Sequence, residues 1–134
     1  MATTHDVTGD STTFPWVGGQ KCFVIEKTFD CSDTALVSGD TYKALHIPAN
    51  TLVLHVAVEV TTAEGGTGTV DIGDDSTADG WCDGTNVNSA TTSLGAGSYA
   101  GGKVYAAADT LDVLVNNALD AAVFTVRAIC FDVS

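Results

Sequence analysis

One stretch restricts this chain more than any other: His46 to Gly73, HIPANTLVLHVAVEVTTAEGGTGTVDIG. From Thr51 to Thr61 the residues alternate, which assigns Leu52, Leu54, Val56, Val58 and Val60 to one face and Val53, His55, Ala57 and Glu59 to the other. A period of two over that length is the pattern of a strand buried on one side, and it does not fit a helix. Pro48-Ala49-Asn50 breaks the chain before this strand, and Glu64-Gly65-Gly66-Thr67-Gly68 turns it toward Thr69-Val70-Asp71-Ile72. The expectation is an antiparallel hairpin whose Leu/Val face lies in the middle of the core.

The rest of the chain fits the same architecture. Lys21 to Phe29 reads as a first strand with Phe23, Ile25 and Phe29 on one face, and Tyr42 to His46 as a short second one. Lys103–Ala107 and Leu111–Val115 flank Ala108-Asp109-Thr110 as a second expected hairpin. In the last strand, Ala122 to Val133, Phe124, Val126, Ala128 and Cys130 share a face while Thr125 and Arg127 look outward. Gly73 to Gly102, almost all Asp, Gly, Ser, Thr, Ala and Asn, reads as a long loop region with one or two short strands. Helix formers such as Glu, Lys, Arg and Gln are scarce. With 134 residues one domain is the default. The expectation is an all-β fold: a single antiparallel β-sandwich of about eight strands, jelly-roll-like, over residues 21–134.

Residues 1–20 are set apart as an N-terminal arm. They are polar until Phe14-Pro15-Trp16-Val17, which Gly18 and Gly19 follow. Two readings stand: a frayed terminus, or an arm whose Phe14 and Trp16 anchor onto the domain or a neighbouring subunit.

A net charge of −12, with only five Lys and Arg and no basic cluster, repels phosphate backbones and anionic membranes. No apolar run reaches the length that spans a bilayer. The first residues have neither a basic start nor an apolar stretch of the signal-peptide kind, so synthesis in a cytoplasm is expected. Cys22, Cys31, Cys82 and Cys130 have no metal-finger spacing and read as small buried thiols, with a Cys22–Cys31 bridge conceivable only in an oxidising setting.

Three constellations invite a chemical reading. The run from Asp71 to Asn86 is dense in carboxylates, and Asp75, Asp79 and Asp83 have part of the spacing of a calcium loop. Crowded carboxylates repel, and a hard cation relieves that repulsion. The terminal glutamate and flanking helices of an EF-hand are absent, however, and Asp-Gly turn chemistry explains the same residues. Gly97 to Lys103 has phosphate-loop spacing, but Val104 follows where Ser or Thr is needed, and a strand takes the place of the helix. Gly95, Gly97, Gly101 and Gly102 there read as positions where the loop approaches another backbone. His55 and Glu59, four apart on one strand face, read as a solvated or interface pair. No nucleophile elbow and no paired acid and base mark an enzyme.

Pro15-Trp16, Glu26-Lys27-Thr28-Phe29-Asp30, Ile47-Pro48-Ala49-Asn50-Thr51-Leu52-Val53-Leu54, Val58 to Ala63, Val70 to Asp74, Asp79-Gly80-Trp81, Ala107 to Thr110 and Thr125 to Ala128 together resemble small structural proteins of tailed bacteriophages. The resemblance covers most of residues 15 to 133 and carries over no site residues. It implies a virion protein without enzymatic activity or cofactor, such as a capsid decoration (cement) protein, a group that commonly forms homotrimers on the major capsid protein. The implied location is the capsid surface, with a tail or fibre component as the alternative. The candidate contact residues are then Phe14, Trp16, His55 and Glu59. A rival of another class is a carbohydrate-binding sandwich with Trp81, Tyr99 and Tyr105 as stacking platforms and calcium at the Asp loop; buried aromatics would remove it.

Overall fold

The computed structural model describes residues 21–134, so the expected arm, with Phe14 and Trp16, lies outside the described residues. Nine strands run in order: β1 (Cys22–Asp30), β2 (Thr41–Ile47), β3 (Thr51–Thr62), β4 (Thr69–Gly73), β5 (Cys82–Asn86), β6 (Thr92–Leu94), β7 (Lys103–Tyr105), β8 (Asp109–Val115) and β9 (Val123–Asp132). They form two antiparallel sheets. The first has the order β1-β9-β3, with β6 and β7 both paired to the far side of β3; the second has the order β2-β8-β4-β5. Strand β6 lies along Ala57–Glu59 and β7 along Thr51–Val53, so the two fill one strand position end to end. Four positions in each sheet give the double Greek key of a jelly roll, the expected fold.

The connectivity overturns both expected hairpins. Strand β3 belongs to the first sheet and β4 to the second, and β7 and β8 are divided in the same way. The reason lies in the edges of β3. One is paired along its length with β9 and the other is taken by β6 and β7, so no hydrogen-bonding edge is left for β4. The Glu64–Gly68 turn therefore carries the chain across the core. Glu64 fixes that crossing: its carboxylate accepts from the backbone N–H groups of Asp120 (2.7 Å), Ala121 (3.1 Å) and Ala122 (3.4 Å). Burial pushes this carboxyl up, but those amides outweigh it and hold it below the usual carboxylate range. Among the described strands the one hairpin is β4–β5.

The faces of β3 differ from the simple alternation for a related reason. Pairing with β9 runs Val53 to Cys130 and then His55 to Ile129, leaving Leu54 as a bulge. One extra residue reverses the phase of the side chains. Val53 is therefore fully buried with Val56, Val58 and Val60, while Leu52 and Leu54 are half-buried outside the core. Strand β9 has no such break in its centre, and Phe124, Val126, Ala128 and Cys130 all lie in the core as the pattern predicts. Phe29 stacks on Phe124 with ring centroids 5.1 Å apart, closing the β1 side of the core.

Cys31, Cys82 and Cys130 are buried free thiols, whereas Cys22 is exposed. Cys22 and Cys31 lie at opposite ends of β1. Nine extended residues span roughly 30 Å, far beyond the Cα separation of about 4.4–6.8 Å that a disulfide allows. Burial pushes the thiols of Cys31, Cys82 and Cys130 up to about 11. Iodoacetamide at neutral pH is therefore expected to label one thiol, Cys22, in the folded protein and all four in denaturant. Mass spectrometry reads the count, and modification of a second cysteine without denaturant would contradict the packing.

Candidate interaction surface

The two outer faces of the sandwich differ in chemistry. On the second sheet Lys43, His46, Asp75 and Asp83 are exposed, with Asp71 and Thr85 partly so. Lys43 Nζ donates to Asp75 at 2.8 Å and lies 3.8 Å from Asp112. The hydrogen bond from Lys43 holds the Asp75 carboxyl below its ordinary range. Burial, opposed by Thr110 and Lys43, raises that of Asp112. This face is polar and predominantly acidic.

The outer face of the first sheet carries an apolar patch. Val24 (57% exposed), Leu94 (69%), Val104 (56%) and Ile129 (38%) come from four strands and sit on this side, beside the half-buried Leu52 and Leu54. Val24, His55, Ala57, Leu94, Arg127 and Ile129 line an open hollow of about 240 Å³. Arg127 lies at its rim, donating from Nε to Glu26 and from Nη1 to Glu59, each at 2.7 Å. Both pairs are substantially exposed and screened by water, so they add little to stability; their effect is to hold the guanidinium and cancel its charge beside the hollow. A contiguous apolar patch rimmed by paired charges is the chemistry of a contact surface.

The candidate contact pair thus shares one face but plays two parts. His55 lines the hollow, and Glu59 anchors Arg127. Val24, Leu94, Ile129 and Arg127 were not singled out from the sequence. Leu94 carried a signal, as a large apolar residue isolated in a run of small polar ones, and so did Val24, an apolar residue at an outward position of β1.

The aspartate-rich loop builds something else. Asp74, whose side chain has no exposure, accepts from Lys103 Nζ at 2.6 Å and from the Tyr105 hydroxyl at 2.9 Å. The backbone N–H groups of Ser76 and Thr77 donate to its other oxygen, each at 2.9 Å. Trp81 Nε1 in turn donates to Tyr105 Oη at 3.0 Å, and Lys103 Nζ lies 4.2 Å and 4.7 Å from the ring centroids of Tyr99 and Tyr105. Burial pushes the Asp74 carboxyl up, but these donors, Lys103 foremost, hold it below the usual range. The cluster clasps the β4–β5 loop to β7, tying the second sheet to the first. Asp75, Asp79 and Asp83 are exposed around it; Asp75 is engaged by Lys43, and among the described residues no three carboxylate, histidine or cysteine side chains are grouped to hold a metal ion.

Lys103, the last residue of the phosphate-loop spacing, is thus bound internally by Asp74. Two glycines of that loop serve close packing as expected: a Cβ on Gly97 would stand 2.4 Å from the Gly80 carbonyl oxygen, and one on Gly95 2.5 Å from that of Trp81, whereas Gly101 and Gly102 serve instead through their positive φ of 104° and 110°. Trp81 (1% exposed) and Tyr105 (4%) lie in the core, and Tyr99 packs edge-on against Trp81. Two of the three platforms of the carbohydrate reading are therefore closed to a sugar ring.

Comparison with solved structures shows the same fold in chains of three phage particles. A chain of the cyanophage Pam1 capsid asymmetric unit is 16% identical, with full coverage of both chains and a TM-score of 0.67. One from the acidic stable capsid structure of Helicobacter pylori bacteriophage KHP30 is 17% identical over 86% of this chain and 90% of that one, at a TM-score of 0.66. One from the capsid of Ralstonia phage GP4 is 13% identical over 84% and 85%, at 0.63. No protein-family model and no curated protein matches the sequence.

Proposed function

We propose that this chain is a non-enzymatic structural protein of a phage virion, a decoration (cement) protein that stabilises the head by bridging capsid subunits. The observation that carries the reading is the correspondence of the jelly roll to chains of phage capsid structures, over the full length of both chains in one case and at least 84% of this chain in the others. Proteins of this kind act through surface buried against neighbours rather than through a pocket, and the exposed apolar sheet face suits that mode of action. On this reading the partners are the major capsid protein and sister copies in a homotrimer, and the N-terminal arm and one loop end of the sandwich make the contacts.

The test uses virions and purified chain. Antibody labelling should decorate the head, and the purified protein should run as a trimer and rebind particles stripped of it. Labelling confined to the tail would overturn the head assignment, and a monomer that fails to rebind stripped heads would overturn the cement role. Deleting residues 1–20 is expected to weaken or abolish rebinding; unchanged occupancy on the particle would remove the arm from the contact.

A further inference from the structure

We infer that the apolar hollow on the outer face of the first sheet is the seat of the chain's own Phe14-Pro15-Trp16-Val17. The inference concerns the chain free of the particle, before the arm and the apolar face enter the contacts proposed above, and its test does not depend on them. The hollow exposes Val24, Leu94 and Ile129 to water at 57%, 69% and 38%. Twenty residues precede Lys21, and they carry one apolar cluster in an otherwise polar sequence.

Reach and size both fit. Trp16 is six residues from Cys22, the first residue of β1, so its Cα lies within about 20 Å of that point. Val24 is two residues along β1, and the hollow extends from there across β9 and β3 to Leu94 of β6. Three strand spacings amount to roughly 14 Å. In the sequence Gly18 and Gly19 stand between the cluster and β1, and glycine takes the reversal that such a seat requires at no steric cost. A dry cavity of about 150 Å³ takes a benzene ring; an open hollow of about 240 Å³ has room for an indole. The Arg127 guanidinium, held in place by Glu26 and Glu59, forms the polar rim of that seat.

The occupant is the same polypeptide because a short tether gives an effective concentration in the millimolar range, above that of any second copy in dilute solution.

The chain holds two tryptophans, and Trp81 is buried in the core, so acrylamide quenching reports on Trp16. In the full-length protein Trp16 should be shielded. Leu94→Asp, at a site too exposed to threaten the core, should abolish that shielding and red-shift the emission, with cooperative unfolding retained and the melting temperature lowered by no more than in Trp16→Ala. A Trp16 already open to quencher, or one still shielded in Leu94→Asp, would overturn the inference. Co-refolding Leu94→Asp chains with Trp16→Ala chains, whose hollow is intact, separates the two sources. Trp16 should stay exposed in the mixture; recovery of shielding would assign the seat to a second copy.

Discussion

Asp74→Asn is expected to lower stability by about 3 kcal/mol, the low end of the cost of breaking a buried ion pair from one side. For a domain of this size that corresponds to roughly 10 °C in melting temperature. The carboxylate is fully enclosed and accepts from Lys103, Tyr105 and two backbone amides. Its loss leaves the Lys103 ammonium beside a neutral amide and unties the β4–β5 loop from β7. The Lys103 side chain is 26% exposed, which lets water reach the freed ammonium and keeps the estimate at the lower bound. Asp74→Leu combined with Lys103→Met should recover most of the loss, because replacing both partners with apolar groups leaves no uncompensated charge. A double variant no more stable than Asp74→Asn would mean that the clasp acts through the amide bonds of Ser76 and Thr77 instead.

The same residue sets part of the pH response. The Asp74 carboxyl is depressed in the folded state. Its stabilising contribution is therefore complete above about pH 4, where the unfolded carboxyl is ionised, and disappears as the pH falls through the lower folded value. Asp112 works in the opposite direction. Burial raises its carboxyl, so acid relieves rather than weakens the fold at that position. Denaturant titrations of the wild type and Asp74→Asn should converge as the pH drops below about 4, and a constant gap down to strong acid would exclude Asp74 from the acid response.

Phe124→Ala should be among the most damaging single core changes, at about 4 kcal/mol. The ring is fully buried on β9, the strand that joins β1 to β3, and it stacks on Phe29. No other described aromatic can fill the space without leaving its own site, and Phe29 itself is held edge-on by Tyr42 at 6.4 Å. The Phe29→Ala change should cost less, since Phe29 is already partly open to water. Urea unfolding of both variants checks the order, and a larger loss for Phe29→Ala would place the centre of the core nearer the β1 edge.

Much of this fold is legible in the letters. In β9 the period of two puts Phe124, Val126, Ala128 and Cys130 inside, and the structure agrees. Phe23, Ile25 and Phe29 of β1 face the core and Gly95 and Gly97 pack against a neighbouring backbone, both as expected, while Gly101 and Gly102 are used for positive φ instead. The phase of β3 was not legible, because a single bulge at Leu54 moves Val53 inward and Leu52 outward without altering the composition of the strand. The clasp was not legible either: Asp74 and Lys103 are 29 residues apart, and the aspartate run offers several equivalent carboxylates until one of them is enclosed.

Alternation and turn residues, which act over a few positions, set that this chain forms strands, roughly where they lie, and which of their residues are apolar. Tertiary structure alone decided which strands are partners. Adjacent strands pair when an edge is free, and β9, β6 and β7 occupy both edges of β3, so its sequence neighbour β4 goes to the opposite sheet. It also decided that Val24, His55, Leu94, Arg127 and Ile129, scattered over more than a hundred residues, form one surface. Pairing brings those side chains together across strands, and no local periodicity encodes that meeting.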